Sequence, residues 1–201
     1  MRITFATVLL LLFAACGGVS DNRFHFVEPG DLAGLQSLQA AQLLEFEDLT
    51  YTAFDLIPTR GEAIFNGVLE ADAYINEASD PSFVGRLILE IEFGDHGAFA
   101  TGEVRDIFSK HGQELRGKLS VGSSTRGLGT DPSIDRTVSI GLSGELTDTD
   151  GMTTSHTLRL EGDFYGSTVD HLGGVVLGRA ENDVGSGTVT GRFTAKDTAS
   201  D

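Results

Sequence analysis

The chain has 201 residues, of which 40% are hydrophobic and 22% charged, a composition that suits one globular domain with short appendages. Thirty acidic residues against fourteen basic ones give a formal net charge of −16, so nucleic acid is not expected as a partner because its phosphates would be repelled. The single cysteine excludes an intrachain disulfide and any cysteine-rich metal site.

The first fifteen residues are predicted to be a signal peptide. Arg2 is followed by an apolar run over residues 3–15, which is too short to span a bilayer and is followed at once by two glycines. The run ends in Leu-Phe-Ala-Ala directly before Cys16, and this sequence resembles the lipobox of bacterial lipoproteins. The resemblance implies that residues 1–15 are removed and that Cys16 carries diacylglycerol and a further acyl chain such as palmitate.

Lipidation of Cys16 would attach the protein to a membrane. Two or three acyl chains hold firmly, since each buried CH₂ contributes ~0.8 kcal/mol. Gly17 follows the cysteine where retained lipoproteins carry Asp, and by the rule for such proteins this favours the outer membrane, on its periplasmic or its cell-surface side. The alternative is an ordinary secretory signal with an incidental cysteine, which is an unfavourable group in an oxidising compartment.

Residues 16–58 are predicted to form a lipidated tether and a short helix. From Gly17 to about Gly30 the chain is small and polar with one proline, as in a flexible linker. Asp31 is a suitable N-cap for a helix over 32–44, in which leucines 32, 35, 38 and 43 mark one face. We expect this helix to pack on the domain that follows.

Eight β-strands are predicted in a domain that covers residues 59–197. Apolar and polar residues alternate along each strand, as in strands with one buried and one wet face. The most regular apolar positions are Leu87, Leu89, Ile91 and Phe93, then Val138, Ile140, Leu142 and Leu146, then Val189, Phe193 and Ala195. Less regular strands are predicted at 61–71, 98–108, 114–122, 154–165 and 174–181. Their short connections suit antiparallel hairpins, and no helical segment is long enough for a parallel crossover.

Glycines on the apolar faces favour a barrel over a sandwich. Five of them follow a large apolar residue by two positions: Gly67, Gly117, Gly144, Gly162 and Gly191. Glycine weakens a strand by about 0.5–1 kcal/mol, but it relieves crowding where strands coil sharply to close a narrow barrel. The prediction is an all-β, eight-stranded, antiparallel up-and-down β-barrel with an apolar lumen. Its polar outward residues place it in water, since a membrane barrel would reverse the pattern.

The C-terminal third resembles a known family. In order along the chain it carries Gly162-Asp163-Phe164-Tyr165-Gly166, Leu172-Gly173-Gly174 and Gly191-Arg192-Phe193-Thr194-Ala195-Lys196. This series resembles the closing strands of the eight-stranded barrel in transferrin-binding protein B and its relatives. Residues 61–67 and 92–94 also resemble strands of that barrel. The chain departs from the family pattern at Thr194, where Gly is usual, and at Phe65, where Tyr is usual.

The residues of these motifs are expected to be mainly structural. Phe164 is inward by alternation and is predicted to lie in the barrel core. Tyr165 is predicted on the outer face, covered by a short helical turn over Ser167–His171 that accepts its hydroxyl hydrogen bond. Gly173 and Gly174 are expected to let that turn re-enter the sheet closely.

The resemblance implies a displayed recognition module, because single-barrel relatives bind haemoproteins, complement regulators or small ligands. Transferrin binding is not implied, since the chain has no room for the two lobes and handle domains of transferrin-binding protein B. The first hypothesis is a monomeric, non-enzymatic lipoprotein that binds a protein partner, in the class that acquires nutrients, iron or haem. The second is a lipocalin-like carrier of a small apolar ligand. The lack of tryptophan and the many large inward residues favour the first.

No catalytic, cofactor or metal site is predicted. The histidines are scattered without the spacing of metal ligands: His25, His96, His111, His156 and His171. Asp148-Thr149-Asp150-Gly151 starts like a calcium loop but lacks the later ligands, so we interpret it as a turn. The widest loop, from Gly122 to Arg136, suits either a connector or a recognition loop.

Overall fold

The structure, a computed structural model, describes residues 30–75, 82–94, 97–122 and 138–198. The predicted signal peptide, Cys16, nearly all of the tether, His25, His96 and the 123–136 part of the wide loop lie outside these residues. An α-helix, α1 (Leu32–Glu47), and a 3₁₀ helix (Phe54–Leu56) precede eight strands. The strands are β1 (Gly61–Tyr74), β2 (Phe83–Gly94), β3 (Gly97–Ser109), β4 (Glu114–Val121), β5 (Val138–Thr147), β6 (Thr153–Tyr165), β7 (His171–Asn182) and β8 (Gly185–Asp197).

The strands form a closed, all-antiparallel, up-and-down barrel. Each strand pairs with the next along the chain, and β8 pairs with β1 to close the sheet. The predicted fold class is therefore confirmed, and the five strands for which bounds were predicted differ from the observed ones by no more than three residues at either end. Neither described helix is long and apolar enough to cross a membrane.

Alternate side chains of every strand point into the lumen, where they form one continuous apolar cluster. The most regular predicted strands contribute to it, and Leu87, Leu89, Ile91 and Ile140 are fully buried. Burying a side chain of this size contributes about 1.5–3 kcal/mol. The lumen is thus the hydrophobic core of the protein.

Inward glycines allow the strands to close the barrel. A Cβ added at Gly67 of β1 would overlap the carbonyl oxygen of Thr194 on β8, and one at Gly191 of β8 would overlap that of Glu70 on β1. The atoms that leave no room for a side chain are therefore backbone atoms of the neighbouring strand. This confirms glycine's predicted role in sharply coiled strands and identifies the crowding group.

The helix α1 packs on the outside of the barrel, against β1, β2 and β8. Asp31 caps it as predicted, since the Gly34 N–H donates to Asp31 Oδ1 at 2.8 Å. The helix continues three residues past the predicted end. Its buried residues are Leu35, Gln39 and Gln42, so two glutamines take places on the packing face that the leucine pattern did not reveal.

The path of α1 distinguishes the two ends of the barrel. At the entry end, α1 begins with Leu32 beside Gly112, in the turn between β3 and β4. At the far end, α1 finishes with Phe46 against Tyr165 and Gly173, where β6 ends and β7 begins. The chain before Asp31 therefore joins the described structure at the entry end.

Candidate functional site

The inward residues of the C-terminal motifs build the barrel core. Phe164 and Phe193 are buried, and the ring of Phe164 lies 5.9 Å from that of Phe65. Gly162 of β6 pairs with Gly174 of β7, and a Cβ at Gly162 would lie 3.0 Å from Phe193 Cζ. A Cβ at Gly162 would first overlap the Gly173 carbonyl, and one at Gly174 would overlap the Glu161 carbonyl, so the two glycines let β6 and β7 approach closely. Gly162 also leaves room for the Phe193 ring.

The outward residues of the same motifs receive the helix. The Phe46 ring of α1 lies 4.9 Å from Tyr165, and a Cβ at Gly173 would come within 2.7 Å of Phe46 Cε1. Tyr51 also packs on Tyr165, at 4.9 Å between ring centroids. Burial first, and then the neighbouring Tyr51, raise the pKa of Tyr165 to about 12. Gly173 thus makes room for α1.

The helical turn predicted over Ser167–His171 is wrong. Residues 166–169 form bends, and His171 is already the first residue of β7. Val169 has a left-handed backbone (φ +57°) and a buried side chain, which is incompatible with a helical turn at this point. The cover over Tyr165 comes from Phe46 and Tyr51.

Polar contacts fix α1 to the barrel next to these rings. Thr194 Oγ1 donates to Gln42 Oε1 at 3.0 Å, and Gln42 Nε2 donates to the Asn66 carbonyl at 3.0 Å. Both side chains that form the first of these bonds are buried. The Thr194 hydroxyl thus helps to hold the helix on the barrel.

A charged contact completes the helix attachment. The Glu45 carboxylate accepts from His171 Nε2 at 2.9 Å and lies 3.4 Å from Lys196 Nζ. The hydrogen bond from His171 is the main cause that lowers the pKa of Glu45, and Lys196 adds to it. Together with Phe46, Gln42 and Thr194, these residues orient α1 along the barrel wall.

One titratable group lies inside the barrel towards the entry end. His156 is 2% exposed, and its ring contacts that of Phe83 edge-on at 5.2 Å between centroids. Burial lowers the pKa of His156 to about 4, so the imidazole is neutral at pH 7. Its Nδ1 is buried and has no hydrogen-bond partner among the described residues.

The remaining candidate groups do not converge. His111 is exposed in the turn between β3 and β4, whereas His156 and His171 are buried. In the described part of the chain, no three His, Cys, Asp or Glu side chains are grouped so that they could hold a metal ion. The Asp148 carboxylate accepts from the N–H groups of Asp150 and Met152, both at 2.9 Å, so it stabilises the turn, as interpreted from the sequence.

Exposed apolar side chains collect at the far end. Of the ten large hydrophobic residues that are exposed in the described ranges, six lie there: Leu44, Tyr51, Phe54, Leu56, Ile64 and Phe99. Only Tyr74 and Val184 lie towards the entry end. Sequence reasoning missed this concentration, because it depends on which strand ends and helix ends meet in space.

Comparison with known proteins gives a partial likeness. The chain matches no protein-family model and no curated protein. Among solved structures it is similar to two mutants of transferrin binding protein B, a vaccine antigen from Haemophilus parasuis. The identities are 23% for a double mutant and 22% for a single mutant, and the TM-score is 0.41 in both cases. Each match covers 73% of this chain and 28% of the other, so this chain spans less than a third of the length of those proteins.

Proposed function

We propose that this protein is a non-enzymatic, lipid-anchored binding module of the Gram-negative envelope, which recognises a protein partner with the far end of its barrel. The observation that carries the proposal is the concentration of exposed apolar side chains at the far end, opposite the end where the chain enters. Exposed apolar residues grouped on one part of a surface are typical of interaction sites. We place the function in the class that acquires nutrients, iron or haem, on the basis of the sequence resemblance.

The packed lumen supports recognition by the outer surface. The inward side chains form one continuous buried cluster, and the largest of them, Phe65, Phe83 and Phe193, are fully buried. A ligand inside the barrel would have to displace these rings. A partner at the far end would instead meet residues that are already exposed.

The helix supports display away from the membrane. In this proposal Cys16 is lipidated and residues 17–30 connect it to α1, which the contacts of Phe46, Gln42 and Glu45 hold against the barrel wall. A membrane attachment at the entry end then leaves the far end free. The proposed location is the outer membrane, on its periplasmic or its cell-surface side.

Lipidation is tested by labelling cells with a clickable palmitate analogue. We expect the full-length protein to take up label and to fractionate with the outer membrane, and Cys16→Ala to lose both properties. Cys16 is the only cysteine, so residual thiol labelling of the variant cannot obscure the result. An unlabelled wild type that fractionates as a soluble protein would contradict the proposed anchor.

Partner binding is tested with the full-length protein in detergent as an affinity bait against envelope proteins. We expect a specific partner whose capture is lost in the double variant Phe54→Ser/Leu56→Ser at the far end. The matched control is Val184→Ser, which changes a similarly exposed apolar residue in the turn between β7 and β8. Equal capture by both variants would contradict the role of the far end.

A carrier of a small apolar ligand is the second candidate, and His156 is the observation that favours it. A buried, neutral imidazole with an unpartnered Nδ1 is a group that haem iron or a ligand hydroxyl would satisfy. Titration with haem and with fatty acids, followed by absorbance and tyrosine fluorescence, tests this function. Saturable binding that His156→Leu removes would favour the carrier, and no binding would favour the protein partner.

A further inference from the structure

The strand register places three carboxylates and two apolar side chains together on the outer wall at the far end. Glu62 of β1 pairs with Glu92 of β2, and Glu92 pairs with Phe99 of β3. In the next outward row, Ile64 of β1 pairs with Glu90 of β2. We call these five residues the acidic face.

The two apolar members of this face are exposed. Phe99 is 64% exposed and Ile64 is 37% exposed, whereas the residues that alternate with them, such as Ala63, Phe65 and Ala98, are buried in the lumen. The apolar core therefore accounts for Ala63, Phe65 and Ala98, which face the lumen. It does not account for an aromatic residue at position 99, which faces outward. An exposed aromatic ring on a rigid strand is a residue type enriched in protein interfaces.

The three carboxylates of the acidic face repel one another. None of them has a basic residue as its cross-strand partner in the β1–β2 or β2–β3 ladder, and like charges directly opposite destabilise a sheet. Repulsion by Glu90, together with a hydrogen bond to it, raises the pKa of Glu62. Asp197 lies at the same edge, where its Oδ1 accepts from the Ile64 N–H at 3.2 Å.

Several carboxylates elsewhere on the outer wall have basic partners within the protein. Glu103 lies 2.7 Å from Lys118 Nζ, and Glu70 lies 2.9 Å from Arg192 Nε. The barrel therefore pairs acidic and basic residues on other parts of the same wall. The acidic face combines mutually repelling carboxylates with exposed apolar residues. The positive charges of a partner would reduce the repulsion, and its apolar side chains would bury the exposed residues.

We propose that the acidic face docks a basic segment of the protein partner, with Phe99 and Ile64 contacting apolar side chains between the partner's lysines and arginines. This inference rests on the proposed function and specifies the surface and the partner's charge. The formal net charge of −16 supports it, because a strongly acidic protein attracts basic surfaces and repels acidic ones over long range.

The test uses a photo-crosslinking amino acid, p-benzoylphenylalanine, placed at position 99 of the full-length protein in cells that produce it. A second sample carries it at position 177 of β7, another exposed outward apolar site on the same wall. We expect strong crosslinking from position 99 and weak crosslinking from position 177. Mass spectrometry of the crosslinked peptide should identify a lysine- or arginine-rich segment of a different protein.

Charge variants complete the experiment. Glu90→Gln/Glu92→Gln should lower the crosslinking yield from position 99 by about tenfold, the size of effect expected when complementary charges are removed. Glu161→Gln, which removes a carboxylate that lies 3.0 Å from Arg159 Nε, is the matched control and should leave the yield unchanged. The glutamine variants relieve repulsion, so loss of crosslinking with an unchanged or higher denaturation midpoint would show a lost contact and not a lost fold.

Four outcomes would overturn the inference: equal yields from positions 99 and 177, an acidic crosslinked peptide, a crosslinked second copy of this chain, and a yield that the double glutamine variant does not lower. Equal crosslinking of one partner from both positions would leave the proposed function intact and remove only this surface. Failure of every position, together with failure of the far-end pull-down, would remove the proposed function as well.

Discussion

Two neighbouring regions of the barrel wall both contain carboxylates and exposed or partly exposed aromatic rings, but only one region provides these groups with contacts inside the protein. Where α1 covers β8 and β1, the Glu45 carboxylate accepts from His171 and lies near Lys196, and the Phe46 ring is covered by Tyr165. On the acidic face of β1–β3, Glu62 meets Glu92, and Phe99 is exposed.

This difference distinguishes a surface that stabilises the fold from a surface that is available to bind a partner. Around α1, the Glu45 carboxylate has basic partners and the aromatic rings pack on each other, so these contacts stabilise the fold. On the acidic face, charge and apolar area are left unmatched within the described strands, at a cost to stability. Such locally unfavourable patterns are expected where a protein meets a partner.

The largest expected effect on the free energy of unfolding is at the contact between β1 and β8, the strands that α1 covers. Gly67→Ala should lower the free energy of unfolding by about 3 kcal/mol or more, because the new Cβ would overlap the Thr194 carbonyl and displace β8. Gly141→Ala is the matched control, since a Cβ at Gly141 of β5 meets nothing within 4 Å. Chemical denaturation of both variants measures the difference. Similar stability of the two would contradict the close approach of β1 and β8.

The second prediction uses pH, which acts on the buried His156 of the core. Burial lowers the pKa of His156 to about 4 from an ordinary value of 6.5, so the unfolded chain binds this proton more readily. His156 therefore does not reduce stability above about pH 6.5, and it destabilises the fold progressively as the pH falls from 6.5 to 4. Over this pH range the free energy of unfolding falls by about 3 kcal/mol because of His156.

His156→Leu removes this loss without emptying the lumen. We expect the variant to be more stable than the wild type at pH 4 by a margin that is about 3 kcal/mol larger than the margin at pH 7. His111→Leu, in the turn between β3 and β4, is the control and should follow the wild-type pH profile. Urea denaturation at several pH values provides the measurement, and parallel profiles for His156→Leu and wild type would contradict the burial of a neutral imidazole.

The barrel could be predicted from the sequence because the alternation of apolar and polar residues along each strand shows which side faces the core. The alternation of Leu87, Leu89 and Ile91 and the inward positions of Gly67 and Gly191 can be recognised along single strands, although the atoms that crowd the two glycines belong to the neighbouring strand. The Asp31 cap was predictable for the same reason, since a cap depends on three consecutive peptide groups. These features need no knowledge of distant parts of the chain.

The helix attachment and the acidic face were not predictable, because they depend on register between distant segments. Gln42 looks like an exposed helical residue until Thr194, 152 positions away, is found to donate to it. Glu62 and Glu92 look like ordinary outward residues until the β1–β2 ladder places them opposite each other. The helical turn expected near Tyr165 is wrong, because Val169 has a left-handed backbone and Phe46 and Tyr51 cover the ring instead.

A smaller effect is expected at the helix. Phe46→Ala should lower the free energy of unfolding by about 2 kcal/mol, because it removes the ring that packs on Gly173 and Tyr165. Leu44→Ala, two residues earlier and 66% exposed, should change it by less than about 0.5 kcal/mol. Hydrogen exchange in α1 should rise for Phe46→Ala only. Equal exchange in the two variants would mean that the ring does not hold the helix.

The smallest expected effect concerns the acidic face itself and has the opposite sign. Glu92→Gln should raise the denaturation midpoint slightly at low ionic strength, because it removes the repulsion between Glu62 and its cross-strand partner. In about 1 M NaCl the gain should vanish, since the screening length falls to about 3 Å. Glu103→Gln, which breaks the contact with Lys118, should lower the midpoint instead. A decrease for both variants would mean that the acidic face is stabilised within the barrel, and the distinction between the two regions of the wall would then fail.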